Sequence, residues 1–270
     1  MSTIDGLQAL TGKSIVVIGG TAGLGLSAAS AFIAAGATVV AVGLKSESVA
    51  NARQELGSAA KVLQGDAADP GTATGAIAET LQTFGRFDGL YQVAGGSGPR
   101  WGDGPLHEIT DEGWAATLEL NLTSLFYSNR AAVCQFLAQG TSGSVLNMGS
   151  VLGWSPSPKY FATHAYAAAK SAVAGFTKSC AAFYASRGIR FNVLAPGLVA
   201  TPMAQRAAND ESILAFIKTK QPLGGGRIGS PKDLDAAAVY FMSDASSFTT
   251  GQVLAVDGGW SVSEGQIAAE

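Results

Sequence analysis

Charge is scarce in this chain: only 14% of its 270 residues are Asp, Glu, Lys or Arg, and 17 basic against 20 acidic side chains leave a net charge of −3. Without an excess of positive charge there is no broad field to attract a phosphate backbone, so nucleic acid is not an expected partner. Cysteine and histidine number two each. Neither pair has the close spacing that holds zinc, and no metal site is expected. Cys134 and Cys180, both in Ala-rich helical sequence, read as reduced core thiols. The opening MSTIDGLQAL lacks the basic stretch, apolar core and small-residue cleavage site of a secretory signal. The longest weakly charged stretch, about 161–186, is broken by His164, Lys170, Lys178 and several hydroxyls, and makes a poor membrane span. A cytoplasmic protein without a membrane partner is the expectation.

What the chain has in quantity is apolar sequence, 47% of its residues, together with 35 glycines. A disordered chain would show the reverse balance, because it could not bury enough apolar surface to offset the entropy of ordering. Short apolar runs recur: SIVVI from 14, ATVVAV from 37, KVL from 61, GLYQVA from 89, SVLNM from 144, IRFNVLA from 189 and QVLAV from 252. They are nearly continuous rather than alternating, as parallel strands covered on both faces require. Between them lie helical patterns after Gly25, over about 46–56, 72–84 and 164–187, and a long one from near Asp111. Pro231 opens a last one with Ser230 at its N-cap. Strand, helix, strand in repetition needs crossover connections, hence an α/β doubly wound sheet of about seven parallel strands. No composition break, repeat or linker divides the chain, so residues 1–270 form one domain. The exception to the alternation, about 198–229, has turn formers at both ends and GGG at 224–226, and reads as a substrate-covering lid.

The first strand runs into GGTAGLG, placing Gly19, Gly23 and Gly25 at a strand-to-helix turn. Glycine permits close backbone approach, and the helix start offers N–H groups and a positive dipole end to a pyrophosphate. The same turn could serve only to end a strand. At the end of the second strand, where a carboxylate would hold ribose hydroxyls, the chain has Gly43, with Lys45 two residues on. Loss of the carboxylate removes a repulsion against a 2′-phosphate and Lys45 supplies an attraction, which leans towards NADP. A solvated loop lysine is the equal alternative. Tyr166 and Lys170 stand at i and i+4, on one face of a helix. An ammonium beside a phenol favours the phenolate and brings the group towards proton exchange at neutral pH, though an isolated Tyr-x-x-x-Lys is usually a plain surface pair.

The Gly-rich turn, Ser150 after a central strand, Tyr166 and Lys170 follow one another in the order used by the short-chain dehydrogenase/reductase family, and the whole chain resembles that family. Further matches are Asp66, Ala94-Gly95, Asn121 in ELNLTSLF, NMGS at 147–150, FNVLAPG at 191–197, VATPM at 199–203 and VDGG at 256–259. The resemblance implies a single Rossmann-like NAD(P)-binding domain and an oxidoreductase that interconverts a secondary alcohol and a ketone, of 3-oxoacyl, sugar or steroid type. It implies Tyr166 as acid and base, Ser150 as hydrogen-bond donor to the reacting oxygen, Lys170 on the nicotinamide ribose, and Asn121 holding a water in a relay to that lysine. The implied cofactor set is Gly19, Gly23, Leu24, Gly25, Lys45, Asp66, Ala67, Ala94, Gly95, Tyr166, Lys170, Pro196, Gly197, Val199 and Thr201, with Asp66 at the adenine and Thr201 near the nicotinamide. The family implies assembly into dimers or tetramers; a homotetramer is the expectation, with a homodimer as the alternative.

The residues also leave plainer roles open: Ser150 as a strand cap, Asn121 as a buried helix residue bonded to backbone, Asp66 as a turn former ahead of Asp69-Pro70. Departures from the family pattern are Ile18 before the first cradle glycine, Gln92-Val93 before Ala94-Gly95, and a gap of 16 residues from Ser150 to Tyr166, about three more than the family has. The extra length falls in GWSPSPKYFATH, which carries Trp154, Tyr160 and Phe161. Trp154, with Arg100 and Trp101 from the loop after the fourth strand, forms the expected substrate wall beside Ser150 and Tyr166; packing under the lid or between subunits is the alternative for all three. A nucleotide-sensing or scaffold protein on the same fold is the second functional reading. A flavin oxidoreductase is the third, and explains none of the Tyr-Lys geometry.

Overall fold

The computed structural model describes residues 8–204, 207 and 209–265. The start of MSTIDGLQAL, residues 205, 206 and 208 of the expected lid, and 266–270 at the end of the expected domain lie outside the described residues.

Seven strands, β1 (Ser14–Ile18), β2 (Thr38–Gly43), β3 (Ala60–Gln64), β4 (Gly89–Gln92), β5 (Gly143–Met148), β6 (Ile189–Pro196) and β7 (Val253–Val256), form one sheet in the order 3-2-1-4-5-6-7. Every pairing is parallel. Side chains alternate across the sheet, so successive residues of one strand enter different cores. Ile15, Val17, Val39 and Ala41 pack with Phe32, Phe241 and Met242 on one face. Val16, Ile18, Val40 and Val42 pack with Ile77, Phe136 and Phe191 on the other. Two covered faces explain the unbroken apolar runs, each large side chain contributing about 1.5–3 kcal/mol of transfer free energy. The edge strands β3 and β7 are less buried.

The helices are α1 (Gly23–Ala34), α2 (Ser46–Leu56), α3 (Thr72–Phe84), α4 (Asp111–Leu118), α5 (Ser124–Gln139), α6 (His164–Tyr184), α7 (Glu211–Lys220) and α8 (Asp235–Met242). The long helix expected from Asp111 is interrupted by a π-helical turn at Glu119–Thr123. The helix expected from Pro231 begins as a short 3-10 turn, Pro231–Leu234, closed by a reciprocal capping box between Ser230 and Asp233. In the expected lid, α7 is capped by Asp210, whose carboxylate accepts from the backbone N–H groups of Ser212 and Ile213. Its Ile213, Phe216 and Ile217 pack on Val151 and Trp260.

One expectation fails. Cys134 is exposed and Cys180 only partly covered, both as free thiols. Helix α5 buries Leu125, Ala132, Val133 and Phe136, and the 100° step per residue turns Cys134 off that stripe. Among the described residues no helix is long and apolar enough to cross a membrane, and no three His, Cys, Asp or Glu side chains are grouped to hold a metal.

Candidate active site

Strand order reverses direction between β1 and β4, and a doubly wound sheet opens a crevice there, at the carboxyl ends of its strands. The sequence-derived residues fall on these ends. Gly19 follows β1 with φ +86°, a conformation that favours glycine. A Cβ at Gly19 would stand 2.6 Å from the Ala94 nitrogen, and one at Gly25 would collide with the Gly19 carbonyl. The turn is thus pressed against Ala94, whose N–H donates to the Ile18 carbonyl at 2.9 Å. Helix α1 has no side-chain cap at its N-terminus, leaving the N–H groups of Gly23, Leu24 and Gly25 directed outward without helical acceptors. Thr201 closes the other side, its methyl 3.4 Å from where a Gly23 Cβ would lie. Val199 is held by backbone pairing of its segment with Gly229. A pyrophosphate fits this cradle on shape and on unpaired donors.

Around the cradle, Lys45 occupies the N-cap position of α2 and is exposed. No Cβ could replace the hydrogen of Gly43, because the Thr21 side chain already fills that space, its hydroxyl 3.0 Å from that of Ser48. Asp66, after β3, accepts from the Ala68 N–H at 2.9 Å, the bond of a turn former, beside partly buried Ala67. Pro196 ends β6 and Gly197 follows it, packed against Gln221. Gln92 is buried in β4, where its amide nitrogen reaches the Ala94 carbonyl at 3.4 Å while Oε1 has no partner.

At the ends of β4 and β5 the expected serine, tyrosine, lysine and asparagine meet. Ser150 is 6% exposed, its hydroxyl accepts from the Leu152 N–H at 3.2 Å, and it lies near enough to Tyr166 to draw the phenol's pKa down. One turn along α6, the Lys170 Nζ lies 5.5 Å from the Tyr166 ring centre and donates to the Met148 carbonyl at 2.9 Å. Burial pulls the Lys170 ammonium down to about 8. Burial also raises the Tyr166 phenol above its usual value. The depression expected from Lys170 is not what shifts the phenol here: desolvation sets the direction, and Ser150 rather than Lys170 opposes it.

Asn121 sits in the π-helical turn, 1% exposed, and its side chain is tied to backbone. The amide donates to the Gly96 and Thr117 carbonyls at 2.8 and 2.9 Å, and its oxygen accepts from Gly96 N–H at 3.0 Å. The plainer role thus accounts for its bonds, yet the turn also lays Gly95 between Asn121 and Lys170, so that a Cβ there would come 2.7 Å from Oδ1 of the one and 3.4 Å from Nζ of the other. π-helical turns are frequent at functional sites because they offset the regular ladder.

Of the expected substrate wall, Trp101 packs on Gly96 with Arg100 stacked 3.9 Å over its ring, at the rim of this group. Trp154 is 44% exposed. The apolar niche beside Ser150, about 40 Å³, is instead lined by Val151, Leu152, Phe161, Leu198 and Trp260. Phe161 and Phe216 contact the Trp260 ring edge-on at 5.7 and 5.8 Å, and the indole N–H donates to the Ser155 carbonyl at 3.1 Å. Within the inserted segment, Tyr160 packs on Phe216 of α7 and Phe161 lines the niche. Sequence reasoning missed Trp260, Leu198, Val151 and Leu152; a bulky aromatic directly after VDGG is the one signal that could have pointed to the first. A larger groove of about 380 Å³ between α3 and α5 shares no residue with this group.

A parallel sheet with a glycine cradle at its crevice and a Ser-Tyr-Lys cluster alongside defines a dinucleotide-dependent oxidoreductase class. Residues 19–261 match the family model described as Enoyl-(Acyl carrier protein) reductase. The chain is 35% identical over 252 residues to 2,5-dichloro-2,5-cyclohexadiene-1,4-diol dehydrogenase of Sphingobium indicum, covering 93% of this chain and 98% of that one. It is 33% identical to 3beta-hydroxysteroid dehydrogenase 2 of Eggerthella lenta, covering 93% and 96%. A short-chain type dehydrogenase/reductase structure from Mycobacterium ulcerans superposes with a TM-score of 0.86 at 29% identity, covering 95% and 92%. The chain belongs to the short-chain dehydrogenase/reductase family, oxidoreductases that act on CH–OH groups with NAD(P).

Proposed function

We propose that the protein interconverts a secondary alcohol and a ketone, with Tyr166 as acid and base. The observation that carries this is the grouping of Tyr166 with Lys170, whose Nζ lies 5.5 Å from its ring centre and is bonded to the Met148 carbonyl, two residues before Ser150 at the end of β5. In the reducing direction the Tyr166 phenol gives its proton to the carbonyl oxygen, and in oxidation the phenolate takes the alcohol proton. The Ser150 hydroxyl donates to that oxygen and stabilises its developing negative charge. Lys170 binds the ribose and replenishes the tyrosine proton, and Asn121 fixes the Gly95-Gly96 strip alongside it. The nicotinamide, when bound, supplies or takes up the hydride. Gly19, Gly23, Leu24 and Gly25 hold its pyrophosphate, and Asp66, Ala67, Ala94, Pro196, Gly197, Val199 and Thr201 line its length.

The niche at Ser150 is apolar and of a size for a small aliphatic group beside the reacting carbon, and the relatives named for cyclic alcohols favour a cyclic substrate. α7 covers that group as a lid. Phe183, 74% exposed, and Phe248, fully exposed, suit burial between copies, in keeping with a homotetramer in the cytoplasm. The test is nicotinamide absorbance with NADH and with NADPH against a panel of cyclic, steroid, sugar, keto-acid and oxo-acyl substrates. Turnover by wild type that survives in Tyr166→Phe would overturn the mechanism.

NADP is the favoured cofactor, because Thr21 leaves no room for a carboxylate at Gly43 and Lys45 stands free at the start of α2. Lys45→Asp should shift the NADPH-to-NADH ratio of kcat/KM towards NADH on the order of tenfold, about 1.4 kcal/mol. An unchanged ratio would remove Lys45 from the cofactor site.

A further inference from the structure

Helix α6 carries both Tyr166 and Lys170, and the residue at its own N-cap does not cap it. Thr163 makes no side-chain capping bond, and its hydroxyl is buried without a partner. The cap comes from 60 residues upstream. The Asp103 carboxylate, 5% exposed, spans the first turn: Oδ1 accepts from the Ala165 N–H at 2.9 Å and Oδ2 from the Tyr166 N–H at 3.0 Å. These are the second and third helical positions, the donors an N-cap side chain normally satisfies, and a carboxylate is also the charge a helix N-terminus favours.

Asp103 is itself immobilised from the substrate side. Its N–H, like that of Trp101, donates to the Gly98 carbonyl, closing a tight loop around the 3-10 turn Pro99–Trp101 that holds the Arg100–Trp101 stack. The start of that loop is clamped by Asn121 through both backbone groups of Gly96. One short segment thus touches Asn121 at one end and the backbone nitrogen of Tyr166 at the other.

We propose that Asp103 is a positioning residue for proton transfer: by capping α6 from the loop after β4, it sets where Tyr166 stands relative to Ser150 and to the Arg100–Trp101 rim. The proposal rests on the assignment of Tyr166 as the proton-transfer group. Substrate contact at the rim and the placement of the tyrosine are then mechanically one unit, because a shift of the loop moves the first turn of the helix.

The experiment uses protein labelled with 3-fluorotyrosine, whose six tyrosines give fluorine resonances among which Tyr166 is assigned by its loss in Tyr166→Phe. In Asp103→Ala the Tyr166 resonance should move or broaden while the other five keep their positions. In Asp103→Asn, which retains a carbonyl acceptor for the first turn, it should return most of the way. On the panel alcohol that wild type oxidises best, Asp103→Ala should lower kcat by about 10- to 100-fold with the cofactor KM within about twofold, and Asp103→Asn should recover most of kcat. An unmoved Tyr166 resonance, a common shift of all six, or an Asn variant no better than Ala would overturn the proposal. If wild type turns over none of the panel, it is the assigned reaction that has failed, and the fluorine spectra still decide whether Asp103 places Tyr166.

Discussion

Tyr166→Phe is expected to lower turnover by about 1,000-fold or more while changing cofactor affinity by no more than about threefold. The substitution deletes one oxygen and leaves the ring in place, so packing around α6 should persist. What disappears is the proton that the carbonyl oxygen needs. Because burial raises the phenol, wild type should reduce ketones readily at neutral pH and oxidise alcohols better as pH rises, when the phenolate becomes populated. Steady-state rates in both directions, with dissociation constants from nicotinamide fluorescence, check this. A variant retaining a tenth of wild-type turnover would mean that another group supplies the proton.

Lys170→Met should cost activity and add stability. The Lys170 ammonium is 3% exposed, and burial lowers its pKa from 10.5 to about 8 in the folded chain. Below pH 8 the folded state carries the full cost of a buried charge. Between 8 and 10.5 the unfolded chain holds more protons, so wild-type stability rises with pH, and above that window the cost is gone. A shift of this size corresponds to about 3 kcal/mol at most, from which the lost bond to the Met148 carbonyl subtracts about 1. Near neutral pH the variant should therefore melt a few degrees higher than wild type, with the gain shrinking as pH approaches 10. Its turnover should fall by about 100-fold or more, since the ribose contact and the proton supply to Tyr166 go together. Melting curves at several pH values settle the first part; a variant less stable than wild type at neutral pH, or equally more stable at all pH, would show that Lys170 bears no such penalty. A residue that destabilises the fold in which it is retained marks where function outweighs packing.

Legibility along the chain followed the range of the forces involved. The strands were readable because a parallel sheet covered on both faces favours nearly continuous apolar runs, as residues 15–18 of β1 show directly. The Tyr166–Lys170 pair and the glycine turn were readable because helix period and a strand-to-helix turn place them by local geometry alone. The break at Asn121 was hidden, since ELNLT holds ordinary helix-compatible residues and only the pull of Gly96 shows why the turn widens there. Cys134 was misplaced because Ala-rich sequence blurs which face of α5 is buried.

The sequence by itself determined the sheet, its parallel crossovers, the glycine turn and the Tyr166–Lys170 pairing on one helix face, for these depend on neighbours a few positions apart. Tertiary structure alone decided that Thr21 fills the space at Gly43, that Trp260 walls the niche beside Ser150, and that Asp103 caps the helix of Tyr166. Each of these joins residues separated by 22 to 110 positions, as the numbering shows. Contacts at such separations exist only after the sheet has brought its strand ends together, and no local propensity encodes them.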